Sequence, residues 1–258
     1  MDITAIAEQL FNAEKNKTAC APIRTYLEEK DLASAYKIQQ LNIDKKVAQG
    51  AKTVGKKIGL TSFKVQEQLG VDQPDFGILL ATMQLQNKSS FPYSLLMQPK
   101  AETEIAFVLK EDLTAAKPTL EDIKNAIDYA VIAVEIVGSR IENWNISITD
   151  TIADNASSSH FILGDKKVSL DSFDVINSPM EMHINNQLVS TGDGTSCLGN
   201  PLEAVVWLAN TMIALGNPLK KGEIILSGAL GPMANLNPKD TVKASIKGLG
   251  EVSFSTSA

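Results

Sequence analysis

The sequence predicts an α+β protein, with a small helical N-terminal part over residues 1–52 and a larger, mixed β-rich part over residues 53–258. Three observations carry that division. Helical spacing of apolar residues dominates the first fifty positions. From Lys56 onward short apolar runs bounded by Gly, Pro and Asn take over. Only two helix-like stretches interrupt those runs.

In the N-terminal part Ile3, Ile6, Ala7, Leu10 and Phe11 recur at helical intervals. Leu32, Ala35, Tyr36, Ile38, Gln39 and Leu41 repeat the pattern. The strand-like runs then fall at residues 57–61, 77–80, 102–109, 130–137, 160–163, 223–227, 241–246 and 251–254. One interrupting helix starts near Thr119, where Asp122 three residues on completes a capping box. The other has Asn200 as cap, Pro201 in its first turn and Gly216 at its end. Between those ends Leu202, Val205, Ala209, Met212 and Ile213 form an apolar stripe. No repeat or low-complexity segment breaks the pattern.

The bulk numbers narrow the function classes. Hydrophobic residues make up 44% and charged residues 21% of the 258, ordinary for a globular protein with a full core. A net charge of −6 without a basic stripe argues against a nucleic-acid partner. No apolar run is long enough to cross a bilayer, so no membrane partner is expected. The N-terminus lacks the basic and apolar regions of a signal peptide. Cys20 and Cys197, far apart and in no ligand-like spacing, fit a reducing cytoplasm better than a disulfide framework or a zinc site. An acidic protein that binds an anionic substrate needs a local cation, either a metal or a buried lysine.

Three carboxylates stand out. In the strand-like run that opens at Lys100, period-2 alternation puts Glu102 and Glu104 on one face and Thr103, Ile105 and Phe107 on the other. Taken alone, two solvated glutamates at a strand end explain that pair. Glu135 sits inside the apolar run Ala133-Val134-Glu135-Ile136-Val137, which reads as a buried strand. An unpaired carboxylate there costs several kcal/mol or becomes neutral. The residues leave two readings of equal weight: an ion pair with Arg140, or a third oxygen ligand for a hard cation such as Mg²⁺ or Mn²⁺.

Six segments, in order along nearly the whole chain, resemble a known family. They are Gly55-Lys56-Lys57-Ile58-Gly59-Leu60-Thr61, Gln68-Leu69-Gly70-Val71-Asp72-Gln73-Pro74-Asp75-Phe76-Gly77 and Ala101-Glu102-Thr103-Glu104-Ile105-Ala106. Glu135-Ile136-Val137-Gly138-Ser139-Arg140-Ile141, Thr149-Asp150-Thr151-Ile152-Ala153-Asp154-Asn155-Ala156-Ser157 and Leu226-Ser227-Gly228-Ala229-Leu230-Gly231-Pro232-Met233 follow. The chain resembles the fumarylacetoacetate hydrolase superfamily, and within it the 2-keto-4-pentenoate hydratases of aromatic meta-cleavage pathways.

The resemblance implies a C-terminal mixed β-roll with helices outside it. It also implies a divalent metal, Mg²⁺ or Mn²⁺, on Glu102, Glu104 and Glu135, and an active-site lysine at Lys57. The strand reading agrees, because Lys57, Gly59 and Thr61 share a face, which leaves Lys56 facing elsewhere as a solvated lysine. Implied partners are a small 2-hydroxy-dienoate or 2-oxo acid, further copies of the same chain, and a related decarboxylase. The implied reaction adds water to 2-hydroxypenta-2,4-dienoate to give 4-hydroxy-2-oxopentanoate.

For that chemistry Asp75, read as part of a turn, is the candidate proton carrier, against the plainer reading of a turn-forming side chain. Thr61, Ser158 and Ser227 are candidates for substrate hydrogen bonds. Asp154-Asn155 reads as a loop closed by local side-chain bonds. His160 departs from the family pattern and is read as a satisfied buried histidine rather than a pocket wall. Lys239 replaces the usual glycine in the Pro238-Lys239-Asp240 turn, and His183 lies outside every matching segment. Two alternatives stay open: a 2-oxo-3-hexenedioate (4-oxalocrotonate) decarboxylase with the same metal and enolate, and a non-catalytic subunit that keeps the fold.

Overall fold

The computed structural model describes residues 1–258, the side chains of Gln68 and Leu69 excepted. Helices α1 (Ile3–Asn16) and α2 (Leu32–Ala48) begin as their caps dictate. The Asp2 carboxylate accepts from Ala5 N at 2.8 Å, and that of Asp31 from Ser34 N at 3.0 Å. Their apolar stripes, with Ile6, Leu10 and Ile38, pack together with Ile23 from the connecting segment and are buried against Ile141, Ile148 and Ile152. Each such side chain contributes about 1.5–3 kcal/mol of burial. Helix α3 (Phe63–Leu69) follows the first strand, and α4 (Leu120–Ala126) starts on the Thr119–Asp122 capping box. Helix α5 is Ile148–Ala153, and α6 is Pro201–Ala214 with Asn200 as its cap.

Thirteen strands form two mixed sheets. In chain order they are β1 (Thr53–Gly59), β2 (Asp75–Leu80), β3 (Gln84–Leu85), β4 (Ser90–Pro92), β5 (Lys100–Leu109), β6 (Ile127–Val137) and β7 (Ser158–Leu163). The rest are β8 (Met180–Ile184), β9 (Gln187–Gly192), β10 (Ile224–Leu226), β11 (Ala234–Asn235), β12 (Thr241–Ile246) and β13 (Gly250–Ser257). The larger sheet runs β2-β1-β10-β5-β6-β7-β3, with β11 on the start of β5, and the smaller runs β4-β13-β12-β8-β9. β5 and β6 are buried along most of their length, as expected of central strands covered on both faces. The main core, built on Phe107, Ile132 and Phe161, fills the space between the sheets and α6. Among the described residues no helix is long and apolar enough to cross a membrane.

Several local expectations change. Asp75 opens β2 instead of standing in a turn. Lys239 takes φ 69, the left-handed position usually given to glycine. Asn155 does not close its loop locally: its side chain accepts from Ile78 N at 2.8 Å and donates to Ile78 O at 2.9 Å. Lys56 is not solvated. Its ammonium is buried and donates to Glu223 at 2.7 Å. His183 lies on β8 in the smaller sheet, away from the site described next.

Candidate active site

The register of β5 against β6 builds the centre of the site. Glu102 pairs directly with Glu135, and Glu104 lies two residues further on the same face of β5. One oxygen from each of the three carboxylates falls within 4.8 Å of the others. Glu104 and Glu135 are fully buried, and Glu102 is nearly so. The Arg140 reading fails: its guanidinium forks onto Asp154 and the Ser158 carbonyl. Among the described residues the cation against the triad is Lys57, whose Nζ stands 3.2 Å from Glu135 Oε2.

That leaves an electrostatic deficit. Three carboxylates against one ammonium leave two negative charges out of water, a costly state unless something else cancels them. Glu104 Oε2 accepts from Gly228 N at 2.7 Å, whereas among the described residues Glu104 Oε1 and Glu135 Oε1 have no donor and Glu135 Oε2 faces only the Lys57 ammonium at 3.2 Å. Burial, then Glu135, pushes the Glu102 carboxyl up to about 7. Burial, then Glu135 and Glu102, pushes Glu104 well above the carboxylate range. Burial opposes the charge on Lys57, but Glu135, Glu102, Asp75 and Glu104 outweigh it and hold the ammonium protonated. Orphaned, buried carboxylate oxygens in one cluster are the donor set of a hard divalent cation, and two positive charges cancel the deficit. The residues fit the metal.

Asp75 completes the polar wall. In the β1–β2 ladder it sits opposite Gly59, while Lys57 sits opposite Gly77. A Cβ on Gly59 would come within 2.2 Å of Asp75 Oδ1 and 3.3 Å of Lys57 Nζ, so only glycine lets the carboxyl lie across β1. Among the described residues neither Asp75 oxygen has a hydrogen-bond donor. Burial outweighs the attraction of Lys57 and raises the acid to about 6.

These groups open on a cavity of about 550 Å³. Lys57, Thr61, Asp75, Glu102 and Ser157 give it polar lining, and Lys64 and Lys100 add two cations. Leu60, Val65, Val137, Trp144, Ile146, Pro232 and Met233 give it apolar walls. Of the expected substrate contacts, Thr61 lines the cavity and also packs on Gly228, the donor to Glu104. Ser158 instead lines a separate cleft beside Arg140, and Ser227 is buried behind the triad. Of the run Ser157-Ser158-Ser159 it is Ser157 that reaches the cavity, which Ser62 and Ser196 also line. Asn155, Ala156 and Ser157 all have left-handed φ, and the β6–β7 register shifts between Ile136 and Val137, so period-2 counting along the three serines fails. Trp144 and Ile146 belong to a loop without periodicity, and no local pattern marks them. His160 lines a rear cleft, with Nδ1 2.9 Å from Ser159 Oγ, and takes no part in the cavity.

A mixed β fold that buries a carboxylate triad and a lysine at the end of such a cavity defines a divalent-metal enzyme of small acids. The model of the fumarylacetoacetate (FAA) hydrolase C-terminal domain matches residues 61–255, and the chain belongs to that family. It is 48% identical to the 2-keto-4-pentenoate hydratase of Paraburkholderia phymatum, covering 99% of this chain and 97% of the relative. Identity to the enzyme of the same name from Paraburkholderia xenovorans is 47%, over 95% and 91% of the two chains. Among solved structures, 4-oxalocrotonate decarboxylase from Pseudomonas putida G7, complexed with magnesium and adipate, superposes with a TM-score of 0.95. It is 34% identical, over 98% of this chain and 97% of that one.

Proposed function

We propose that this chain is a hydro-lyase dependent on Mg²⁺ or Mn²⁺, which adds water to 2-hydroxypenta-2,4-dienoate to give 4-hydroxy-2-oxopentanoate in aromatic catabolism. The observation that carries the reading is the buried triad with two uncancelled charges, set beside Lys57 and Asp75 at a largely apolar cavity. Near-full-length relatives named as hydratases support the choice of reaction.

Glu102, Glu104 and Glu135 would hold the cation, which when bound supplies Lewis acidity for negative charge developing on the substrate's C2 oxygen. Lys57, held protonated among carboxylates, is placed to stabilise the same charge by a charge-assisted hydrogen bond. Asp75, without a fixed donor and poised at about 6, is placed to carry the proton that leaves O2 and arrives at C5 as the dienol becomes a 2-oxo-3-enoate. Water then adds at C4 while C3 gains a proton, so one water is consumed per product. Thr61 and Ser157 offer hydroxyls to substrate oxygens. The apolar walls keep further water from the enolate.

The test is turnover by purified protein with Mg²⁺ or Mn²⁺. Dienol absorbance should fall as 4-hydroxy-2-oxopentanoate accumulates, without gas release. A second reading, decarboxylation of 2-oxo-3-hexenedioate, draws on Lys64 and Lys100, which could pair with a distal carboxylate. Release of CO₂ from that diacid, with no hydration of the five-carbon dienoate, would replace the first reading. A subunit without catalysis is disfavoured because a scaffold gains nothing from burying Glu135. Two free cysteines support a cytoplasmic setting. Exposed Leu188 and Val189 on edge strand β9 support a homo-oligomer, which size-exclusion chromatography with light scattering would test. A complex with a related decarboxylase is open to the same measurement on the mixture.

A further inference from the structure

The loop that carries Trp144 and Ile146 to the cavity is held in an unfavourable backbone. Asn143 has φ 58 and Trp144 φ 53, left-handed values at two consecutive residues that are not glycine. Such conformations persist only where the surroundings over-determine them. Two side chains do so here, one from each side of the loop.

Gln98 is the first. Its Oε1 accepts from Asn143 N at 2.7 Å, and its carbonyl accepts from Trp144 Nε1 at 3.0 Å. Its Nε2 donates to the carbonyls of Ser139 at 2.9 Å and Ile141 at 2.7 Å. Arg24 is the second. Nη1 donates to Asn145 O and to Asp150 Oδ2, both at 2.6 Å, and Nη2 donates to Asn145 Oδ1 at 2.8 Å. Asp150 is fully buried and fixes the base of the arginine, since its Oδ1 accepts from Ile23 N at 2.8 Å and Arg24 N at 2.9 Å. A planar fork that engages two acceptors at once gives an orientation a lysine cannot reproduce.

The loop's place along β5 gives it a task. Lys100 lies 4.6 Å from the Trp144 ring centroid, two residues before Glu102 and on the same face. Trp144 and Glu102 line the same cavity, with the tryptophan ring stacked under the Lys100 ammonium. A substrate with its carboxylate and enol oxygen engaged at the triad would leave its hydrocarbon end among the cavity's apolar walls, Trp144 and Ile146 included. Neither Arg24 nor Gln98 lines the cavity.

We infer that Arg24 and Gln98 are positioning residues that hold Trp144 and Ile146 as the wall for the substrate's hydrocarbon end, and so set affinity for substituents on C5. The inference rests on the dienoate reading above. Its test uses full-length protein with Trp207→Phe, which leaves Trp144 as the single tryptophan, and adds Arg24→Ala, Arg24→Lys or Asn145→Ala.

In Arg24→Ala, Trp144 emission should shift to the red and become more open to acrylamide. KM for a C5-alkyl dienoate should rise about tenfold, more than for the unsubstituted dienoate, with kcat within about twofold. Arg24→Lys should recover only part of the loss. Asn145→Ala keeps the Arg24–Asp150 pair and should shift both readouts less, in the same direction, which keeps the test decisive if Arg24→Ala fails to fold. Unchanged emission overturns the inference, as does an equal fall in kcat on both substrates. If the parent protein with Mg²⁺ hydrates no dienoate, the substrate reading fails, and fluorescence alone decides whether Arg24 positions Trp144.

Discussion

Two clefts of the molecule gather charge: the rear one, partly open to solvent, balances it, and the front one buries it unbalanced. The rear cleft, about 440 Å³, is lined by Glu14, Lys17, Lys46, Arg140 and His160. Each charge there has an answer. Lys46 reaches both Glu14 oxygens, at 2.6 and 2.8 Å, Arg140 forks onto Asp154, and Lys17 donates to the Leu95 carbonyl at 2.6 Å. Burial would raise the Glu14 carboxyl, but Lys46 and Arg140 hold it below its ordinary value. The front cavity has the opposite economy, with Glu102, Glu104, Glu135 and Asp75 set against Lys57. Unbalanced buried charge is kept only where a ligand or a reaction completes it. The rear cleft therefore reads as structure, despite its size and its charges, and the front cavity as function.

The largest expected effect breaks the front site. Glu135→Gln should abolish tight Mg²⁺ binding in calorimetry and lower kcat/KM by about 10³-fold or more. It should not destabilise the metal-free protein, because it removes one of the charges that burial penalises. A metal-free variant markedly less stable than the metal-free parent would mean that Glu135 is a structural ion-pair member like Glu14. Next in size is the pair of neighbouring lysines. Lys57→Ala should retain metal but lose about 10²–10³-fold in kcat, as expected of a lost electrostatic donor. Lys56→Ala should keep kcat and lose about 1–3 kcal/mol of stability, because it strands Glu223. Equal kcat losses in the two variants would show that both lysines serve the reaction and break the assignment of strand faces.

Much of this was legible in the sequence, and the gaps have physical causes. Helix α6 follows from the Asn200 cap and the stripe that ends before Gly216. The pairing of Glu102 and Glu104 on one face follows from strand period, and the burial of Glu135 from its apolar neighbours, which left an ion pair and a metal ligand equally open. A period cannot say which strands become partners, so the direct Glu102–Glu135 register came only with the fold. Lys56 was misread because alternation tells faces apart but not whether the second face is also covered. It is covered here, and Glu223 arrives from a distant loop. Ser158 was misread because the register shift in β6–β7 and three left-handed residues displace the face by one position. Trp144 could not be found at all, since its place depends on Gln98 and Arg24, 46 and 120 residues earlier.

The smallest effect separates the front carboxyls from the rear His160 by the sign of their pH dependence. In metal-free protein Asp75 titrates near 6 and Glu102 near 7, both raised from ordinary values of 3.8 and 4.5. Between those limits the folded state holds protons that the unfolded chain has lost, so the front cavity costs stability as pH rises. His160 in the rear cleft is lowered to about 4 from 6.5, by burial first and then by Lys17. There the unfolded chain takes up a proton that the folded imidazole refuses, so His160 costs stability as pH falls from 6.5 toward 4. Asp154, raised to about 6 by burial against the pull of Arg140, acts instead in the same direction as the front carboxyls. The raised carboxyls, Asp75, Glu102, Glu104 and Asp154, outweigh one lowered imidazole, and EDTA-treated protein should lose Tm between pH 5 and pH 7.5. His160→Gln should steepen that fall by removing the opposing slope, and Glu102→Gln should flatten it. Saturating Mg²⁺ should cancel or reverse the slope, because the cation binds the ionised triad and competes with protons for it. A metal-free Tm that rises across that interval would mean that the front carboxylates are already balanced, and the distinction between the two regions would be lost.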